Sequence, residues 1–190
     1  MSTTAMPLVP AVRPAWTATL PRQLVLVLAG SAALAISAQV QVPLWPVPIT
    51  GQTLVVLLLG FALGPVLAMT TVAAYLVEGA VGLPVFAGFA AGPGVLVGPT
   101  AGYLFGFIVA AGVTGELARR GWHRRHLTVA AAMIIGNLII YALGAGYLST
   151  IVGTSTAVSS GVVPFLIGDV IKIGIAVAAL PGITRWTERT

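Results

Sequence analysis

The sequence predicts an all-α integral membrane protein, and three observations support this prediction. Hydrophobic residues make up 58% of the 190-residue chain, and the mean hydropathy is +1.05. Charged residues make up only 7% of the chain, whereas soluble domains carry about 25%. Long apolar runs are separated by proline, glycine and short clusters of arginine. A chain with so little charge cannot cover a soluble surface, and its lack of cysteine excludes disulfide scaffolds, iron–sulfur clusters and thiol nucleophiles.

The apolar runs predict six transmembrane helices, because one crossing needs about 20 residues and the chain has room for about six crossings with short connections. The first 21 residues contain four prolines and are predicted to form an extended cytoplasmic tail. Residues 22–190 are predicted to form a single membrane domain. Its helices are expected near residues 22–40, 50–63, 65–81, 99–118, 127–150 and 162–185.

The second predicted helix is short, and the arginines decide its placement. It rises only about 21 Å, so it either forms a hairpin with residues 65–81, broken at Leu63–Pro65, or joins them in one long helix. With a hairpin, the arginines before the first helix, between the fourth and fifth helices and after the sixth all lie on one side. A fused helix would split them, against the tendency of arginine to stay cytoplasmic. The sequence therefore predicts six crossings of the cell membrane, with both termini in the cytoplasm.

The first predicted helix has alternative interpretations. Ala29, Ala33 and Ser37 are spaced four residues apart, and small residues at this spacing let helices approach closely. The stripe serves either internal packing or the docking of a partner helix. The segment also has some features of a secretory leader that would be cleaved after Ala38, but an uncleaved first helix is the preferred interpretation.

The loops predicted on the opposite side, near residues 41–50, 82–98 and 151–161, contain no charged residue and are rich in proline and glycine. Irregular backbone at membrane depth is tolerated only where it packs in protein or lines a wet cavity. These loops are therefore either a lid over an outward-facing pocket or simple connectors.

Two charged residues lie deep within the sixth predicted helix. Asp169 and the chain's single lysine, Lys172, are three residues apart and share a helix face. Each costs roughly 2.5 to 3.5 kcal/mol near the middle of a membrane helix, so something must compensate them. Either they form a self-contained structural pair, or Lys172 meets a ligand carboxylate while Asp169 accepts hydrogen bonds from ligand donors. Asn137 and Tyr141, one turn apart on the fifth helix, either extend this polar lining or hold helices together.

The remaining acidic residues have simpler interpretations. Glu116 lies three and four residues before Arg119 and Arg120, which predicts an interfacial ion pair. Glu78 lies one turn from the outer end of the third helix, where it reaches lipid headgroups or forms the rim of a pocket.

Several sequence motifs of enzymes are absent. The single lysine does not stand in a phosphate-binding loop, and neither a His-Glu-x-x-His metal site nor a Gly-x-Ser-x-Gly elbow occurs. The sequence therefore predicts no catalytic residues, no metal and no cofactor in this chain. His123 and His126 are expected to be solvated in the arginine-rich loop, and this loop favours headgroup or partner contact over nucleic acid.

Five segments, taken together and in order, resemble the BioY family, the biotin-binding S subunits of energy-coupling factor uptake transporters. The resemblance extends from about residue 22 to residue 185. The segments that carry it are Trp45–Thr53, Leu63–Pro65, Tyr75 with Gly79–Gly88, Gly98–Tyr103 and Pro164–Lys172.

The resemblance implies an S-component-like bundle of six helices with an outward-facing pocket. It implies biotin as the ligand, a transmembrane T subunit that docks on Ala29 and Ala33, and two ATPase subunits that use ATP. Within the pocket it implies that Asp169 or an amide accepts from the ureido ring and that Lys172 meets the carboxylate, beside apolar walls. The implied binding residues are Asp169, Lys172, Tyr103, Phe86, Asn137, Tyr141, Gln52 and Thr50.

Three hypotheses therefore stand at the level of sequence. The first is a biotin-capturing subunit of a multisubunit importer. The second is a protein that transports biotin alone, or an S subunit for a related small vitamin. The third is an unrelated membrane enzyme or structural subunit with an internal Asp169–Lys172 pair.

Overall fold

The computed structural model describes Pro7 and residues 19–187, with side chains as far as residue 184. Most of the predicted cytoplasmic tail therefore lies outside the described residues. Within them the chain forms α1 (Leu20–Gln39), β1 (Gln41–Val42), β2 (Ile49–Thr50), α2 (Gln52–Leu63), α3 (Pro65–Ala80), α4 (Ala101–Arg119), α5 (His126–Val152), α6 (Thr154–Gly161) and α7 (Val163–Thr187). Short 3-10 helices lie at Ala87–Phe89, Pro93–Val97 and Trp122–Arg124. The two strands pair antiparallel, with Gln41 opposite Thr50.

Helices α1 to α5 and α7 lie where the apolar runs predict them, with ends shifted by at most two residues. Helix α1 begins at Leu20 rather than residue 22, because Pro21 occupies the first turn, where a missing N–H costs nothing. Among the described residues, four stretches are long and apolar enough to cross a membrane: Leu20–Gln39, Ala101–Arg119, His126–Val152 and Thr154–Thr184. Helices α2 and α3 are shorter apolar helices.

The predicted break between the second and third helices is confirmed. Helix α2 ends at Leu63, Gly64 adopts a φ of 80°, and Pro65 begins α3. A residue with a side chain rarely adopts this φ, and proline tolerates the first helical position. The two helices are therefore separate elements that share a tight turn.

Helix α4 is the most buried of the long helices, and its glycines explain how its neighbours approach it. A Cβ added at Gly102 would lie 2.4 Å from the Leu143 carbonyl oxygen of α5. A Cβ added at Gly115 would lie 2.5 Å from the Pro65 nitrogen. Such contacts let backbones pack directly on each other where lipid provides little driving force for association. The core consequently centres on α4, with α2, α3 and α5 around it.

The helix directions place four chain segments at one end of the bundle, which we name the arginine end because it carries Arg119–Arg125. Leu20, Gly64 and Arg119 line one groove there, and Thr184 of α7 donates to the His123 carbonyl at 3.4 Å. The predicted Glu116 ion pair is confirmed, with Oε atoms 3.3 Å and 3.2 Å from the Nε atoms of Arg119 and Arg120. We name the opposite end the cavity end.

The expectation of a loop over residues 151–161 is wrong for most of that segment, because Thr154–Gly161 forms α6. Gly153 ends α5 at a φ of 81° and reverses the chain. Serine and threonine are modest helix formers, so composition gave no helix signal. Packing decides instead: Ala157 and Gly161 are buried, and Gly161 accepts a hydrogen bond from Tyr103 at 2.8 Å.

The expectation that His123 is solvated is also wrong. Its side chain is buried, and Nδ1 donates to the Ala118 carbonyl at 2.9 Å. His126 is exposed, yet its Nδ1 donates to the Val177 carbonyl of α7 at 2.9 Å. In a regular helix that carbonyl would accept from residue 181, but Pro181 has no N–H. His126 therefore satisfies a backbone acceptor that the proline leaves open.

The close contact between α4 and the turn at Gly64–Pro65 predicts that Gly115→Ala destabilises the fold by about 1 to 3 kcal/mol. The added methyl group would meet backbone atoms of Pro65 and Gly64, which cannot rotate aside. Gly146→Ala is the matched control, because nothing lies within 4 Å of its added Cβ. Thermal unfolding in detergent measures both variants. Equal melting temperatures would contradict this packing.

Candidate functional site

A cavity of about 330 Å³ lies at the cavity end, between the start of α2, the first turns of α4 and the loop that joins α3 to α4. We name residues 82–100 the roof loop, because they cover this cavity and contain the 3-10 helices Ala87–Phe89 and Pro93–Val97. The volume of the cavity falls in the range of small-molecule sites. The side chains that line it include Thr50, Gln52, Thr53, Phe86, Ala90, Val95, Tyr103, Leu104, Phe107 and Phe165.

The polar edge of the cavity is formed by Thr50, Gln52 and Thr53. Thr50 Oγ1 donates to Gln52 Oε1 at 3.2 Å, and Gln52 Nε2 donates to the Tyr75 hydroxyl at 2.8 Å. Tyr75 in turn donates to the Val85 carbonyl at 3.0 Å. An amide group has two N–H donors and two acceptor lone pairs, so Gln52 keeps one donor and one acceptor position for a ligand.

Aromatic rings form the apolar walls. Phe86 is buried and packs edge-on against Tyr75, with ring centroids 5.4 Å apart. Tyr103 stacks on Phe165 at 6.2 Å. Because the Tyr103 hydroxyl donates to Gly161, this residue offers its ring rather than its hydroxyl to the cavity.

Asp169 and Lys172 form the ion pair that their spacing allows, with Nζ 3.2 Å from Oδ1. Lys172 Nζ also donates to the Thr50 carbonyl at 2.9 Å and to Thr53 Oγ1 at 2.7 Å. Its three ammonium protons thus have three partners. The pair lies directly behind Thr50 and Thr53, one layer of residues from the cavity.

The two predicted residues of α5 lie in different surroundings. Tyr141 donates a short hydrogen bond to Asp169 Oδ2, so α5 is tied to α7 through the carboxylate. Asn137 is buried, and its Oδ1 has no hydrogen-bond partner within residues 19–187. Buried amide oxygens are normally bonded, which marks Asn137 as an open acceptor in the bundle.

The structure therefore divides the eight predicted binding residues into two groups. Tyr103, Phe86, Gln52 and Thr50 line the cavity. Asp169, Lys172, Asn137 and Tyr141 are not among its lining residues. The ligand contacts of both groups remain predictions.

Sequence reasoning missed more than half of the residues that line or hold this region, among them Thr53, Tyr75, Phe165 and Gln39. Thr53 and Phe165 line the cavity, whereas Tyr75 and Gln39 hold the roof loop. The positions of Thr53 and Phe165, each within one turn of a predicted site residue, could have identified them. Nothing in the local sequence indicates the contacts of Tyr75 and Gln39 with the roof loop.

Two other predicted positions lie outside the cavity. Glu78 accepts a short hydrogen bond from Ser31 of α1, so its carboxylate points toward a neighbouring helix. On α1, Ala29 is exposed, Ala33 is half-buried and Ser37 is buried. The small-residue stripe is thus split, with Ser37 packed inside and Ala29 on the open face.

Comparison with known proteins identifies the family. The sequence model of the BioY family matches residues 8–189. The chain belongs to the BioY family. A protein of Thermotoga maritima named "Biotin transporter BioY" is 42% identical over 160 residues, which cover 82% of this chain and 91% of that protein. A protein of the same name from Rhizobium etli is 42% identical over 145 residues, or 72% and 76% of the two chains.

Among solved structures, the chain is similar to the S-component for biotin from an ECF-type ABC transporter. The TM-score is 0.71 at 22% sequence identity, with 87% of this chain and 92% of that chain covered. The BioY chain described here therefore has the helical fold of an S-component. The cavity lies where α2 and α4 begin in this fold.

The buried pair predicts strong energetic coupling in the BioY chain. Asp169→Asn leaves Lys172 without its anionic partner, and removing one member of a buried pair costs about 3 to 5 kcal/mol. The double variant Asp169→Asn, Lys172→Met is expected to recover about 1 to 3 kcal/mol relative to the sum of the single variants. Chemical unfolding in detergent of the unaltered protein, Asp169→Asn, Lys172→Met and the double variant measures this coupling energy. Purely additive effects would contradict the pair's mutual dependence.

Proposed function

We propose that this chain is the substrate-binding membrane subunit that captures biotin from the extracellular side for import. The observation that carries the proposal is the roofed cavity, with aromatic walls and a polar edge backed by the chain's single lysine. Membership in the BioY family and relatives named biotin transporter support the same ligand. The chain is accordingly proposed to be a transporter subunit and not an enzyme.

The cavity suits the chemistry of biotin. The ureido ring of biotin has two N–H donors and a carbonyl acceptor, and Gln52 has a free donor and a free acceptor position. The sulfur-containing ring needs an apolar enclosure, which the rings of Phe86, Tyr103 and Phe165 provide. The carboxylate needs a cation, and Lys172 is the nearest candidate behind the polar edge.

Lys172 must exchange a partner to meet the carboxylate, because its three ammonium protons are already donated. The Thr50 carbonyl and the Thr53 hydroxyl are neutral acceptors, so each binds the ammonium group more weakly than the Asp169 carboxylate does. Both threonines line the cavity. We propose that the biotin carboxylate replaces one of these two neutral acceptors while Asp169 stays paired. Asp169 then remains the acceptor that holds Lys172 and Tyr141 in place.

We further propose six crossings of the cell membrane, with both termini and the arginine end in the cytoplasm. The helix directions support this arrangement, because Leu20 and Thr184 both lie near the loop of four arginines. The cavity end is then extracellular. Helices α2 and α3 are the two short crossings.

Import is proposed to require partner subunits, because the chain has no phosphate-binding loop of its own. We propose a T subunit that docks at Ala29 and Ala33 of α1 and two ATPase subunits that use ATP, with membrane lipid around the rest. The exposure of Ala29 supports this docking face. No cofactor, metal or nucleic acid is proposed for this chain.

The role of Lys172 can be tested with two ligands that differ only in charge. Lys172→Met is expected to weaken biotin binding about tenfold or more, since charge-assisted hydrogen bonds contribute about 1.5 to 3 kcal/mol. The affinity for biotin methyl ester, which has no anionic charge, should fall much less in the same variant. Equilibrium binding to purified protein in detergent measures both. Absence of saturable biotin binding to the unaltered protein would overturn the proposed function, and equal losses for the two ligands would assign Lys172 a structural role.

The proposed orientation can be tested with single cysteines, because the chain contains none. Val97→Cys in the exposed part of the roof loop should react with a membrane-impermeant maleimide on intact cells. Arg125→Cys, exposed at the arginine end, should react only after the membrane is opened. The reverse pattern would contradict an extracellular cavity.

A further inference from the structure

The last residue of α1, Gln39, makes a two-point contact with the roof loop. Its Nε2 donates to the Phe86 carbonyl at 3.0 Å, and its Oε1 accepts from the Phe89 N–H at 3.2 Å. The side-chain amide thus bonds to the loop through both a donor and an acceptor, as a second peptide group would. The two contacts join residues 47 and 50 positions apart in the sequence.

The part of the roof loop that Gln39 contacts is closed on itself. The N–H groups of Gly82 and Gly92 both donate to the Gly79 carbonyl, at 3.2 Å and 2.8 Å. Residues 83–91 therefore leave and return at one point on α3, which is the geometry of an Ω-loop. Both glycines have positive φ, and nothing lies within 4 Å of a Cβ added to either.

The base and the tip of this Ω-loop are held differently. At the base, Leu83 donates to the Glu78 carbonyl at 3.1 Å and Tyr75 donates to the Val85 carbonyl. Beyond Val85, Gln39 makes the hydrogen bonds that join the loop to another part of the described chain. Phe89 adopts a φ of 59°, which is unfavourable for a residue with a side chain, and its ring is exposed. Packing of the Phe89 ring therefore does not hold the tip.

This tip covers the cavity, since Phe86, Ala87 and Ala90 are among the lining residues. We infer that Gln39 is a positioning residue that holds the roof loop closed, and that the ligand enters and leaves when its two hydrogen bonds break. The inference rests on the proposed biotin-binding function for the identity of the ligand. The closure of the loop by Gln39 does not depend on that identity.

A buried cysteine in the cavity wall reports opening without any ligand. Leu104 lines the cavity and is buried, so the thiol of Leu104→Cys reacts with a polar maleimide only when the roof loop opens. Adding Gln39→Met, which keeps the length of the side chain but removes both hydrogen bonds to the roof loop, as well as the bond from Nε2 to the Ala35 carbonyl, is expected to raise the labelling rate about tenfold or more. In the cysteine-free background, the same substitution should speed dissociation of labelled biotin to a similar extent.

Gln41→Met is the matched control, because Gln41 lies beside the same loop, with its Nε2 3.4 Å from the position of a Cβ added at Gly88, and its side chain makes no hydrogen bond to the described part of the chain. This control substitution should change neither the rate of maleimide labelling nor the rate of biotin dissociation. Gln39→Glu keeps the acceptor for Phe89 but repels the Phe86 carbonyl, and should give an intermediate labelling rate. Labelling rates that Gln39→Met leaves unchanged would overturn the inference, whereas faster labelling without biotin binding by the unaltered protein would overturn the proposed ligand alone.

A measurement on the unaltered protein covers the case in which Gln39→Met does not fold. Amide hydrogen exchange of residues 86–90 should be slow, because the Phe89 N–H is bonded to Gln39 although its ring is exposed. Exchange as fast as that of an unstructured peptide would contradict a closed roof.

Discussion

The ion pair of Asp169 and Lys172 is the interaction on which the cavity wall depends. Helix α7 lies in the least buried of the long apolar stretches, so packing alone holds it weakly. Through this pair it is bonded to α2 at Thr53 and to α5 at Tyr141. A charge within a membrane helix has to be compensated whether or not a ligand is present. The network compensates both charges within the protein, and it is compatible with a ligand carboxylate that takes one neutral acceptor from Lys172.

The second constraint is the length of α2. Its 12 residues rise only about 18 Å, less than the roughly 30 Å thickness of the hydrocarbon core. Polar groups of the non-helical backbone before α2 must therefore be satisfied by protein. The pairing of β1 with β2 does this in part, and the Gly51 N–H donates to the carbonyls of Ser37 and Val40. The cavity occupies the space beyond the start of this short helix. The surrounding loops are uncharged and partly line the cavity, as expected of irregular backbone that packs on protein at membrane depth.

The sequence predicted the features that depend on local spacing. Apolar runs located the helices, Gly64 and Pro65 located the break, and the three-residue spacing of Asp169 and Lys172 allowed the pairing that the structure shows. It did not predict α6, whose serines and threonines become helical because Ala157 and Gly161 pack inside. It also missed the contacts of Gln39 and the burial of His123, since these depend on segments that are distant in the sequence. Four of the eight predicted binding residues line the cavity. Asp169, Lys172 and Tyr141 form the polar layer behind it, whereas Asn137 lies one turn away from Tyr141 on α5.

The same reasoning explains how α7 is fixed at its other end. Pro181 removes the N–H that would bond the Val177 carbonyl, and an unpaired carbonyl is costly where water is scarce. His126 at the start of α5 donates to that carbonyl, so a helix defect becomes a contact between two helices. Helix α7 is thus attached to α5 by polar groups at both levels, through Tyr141 and Asp169 near the cavity and through His126 near the arginine end. Directional hydrogen bonds, rather than extensive packing, set the position of the helix that carries the single lysine.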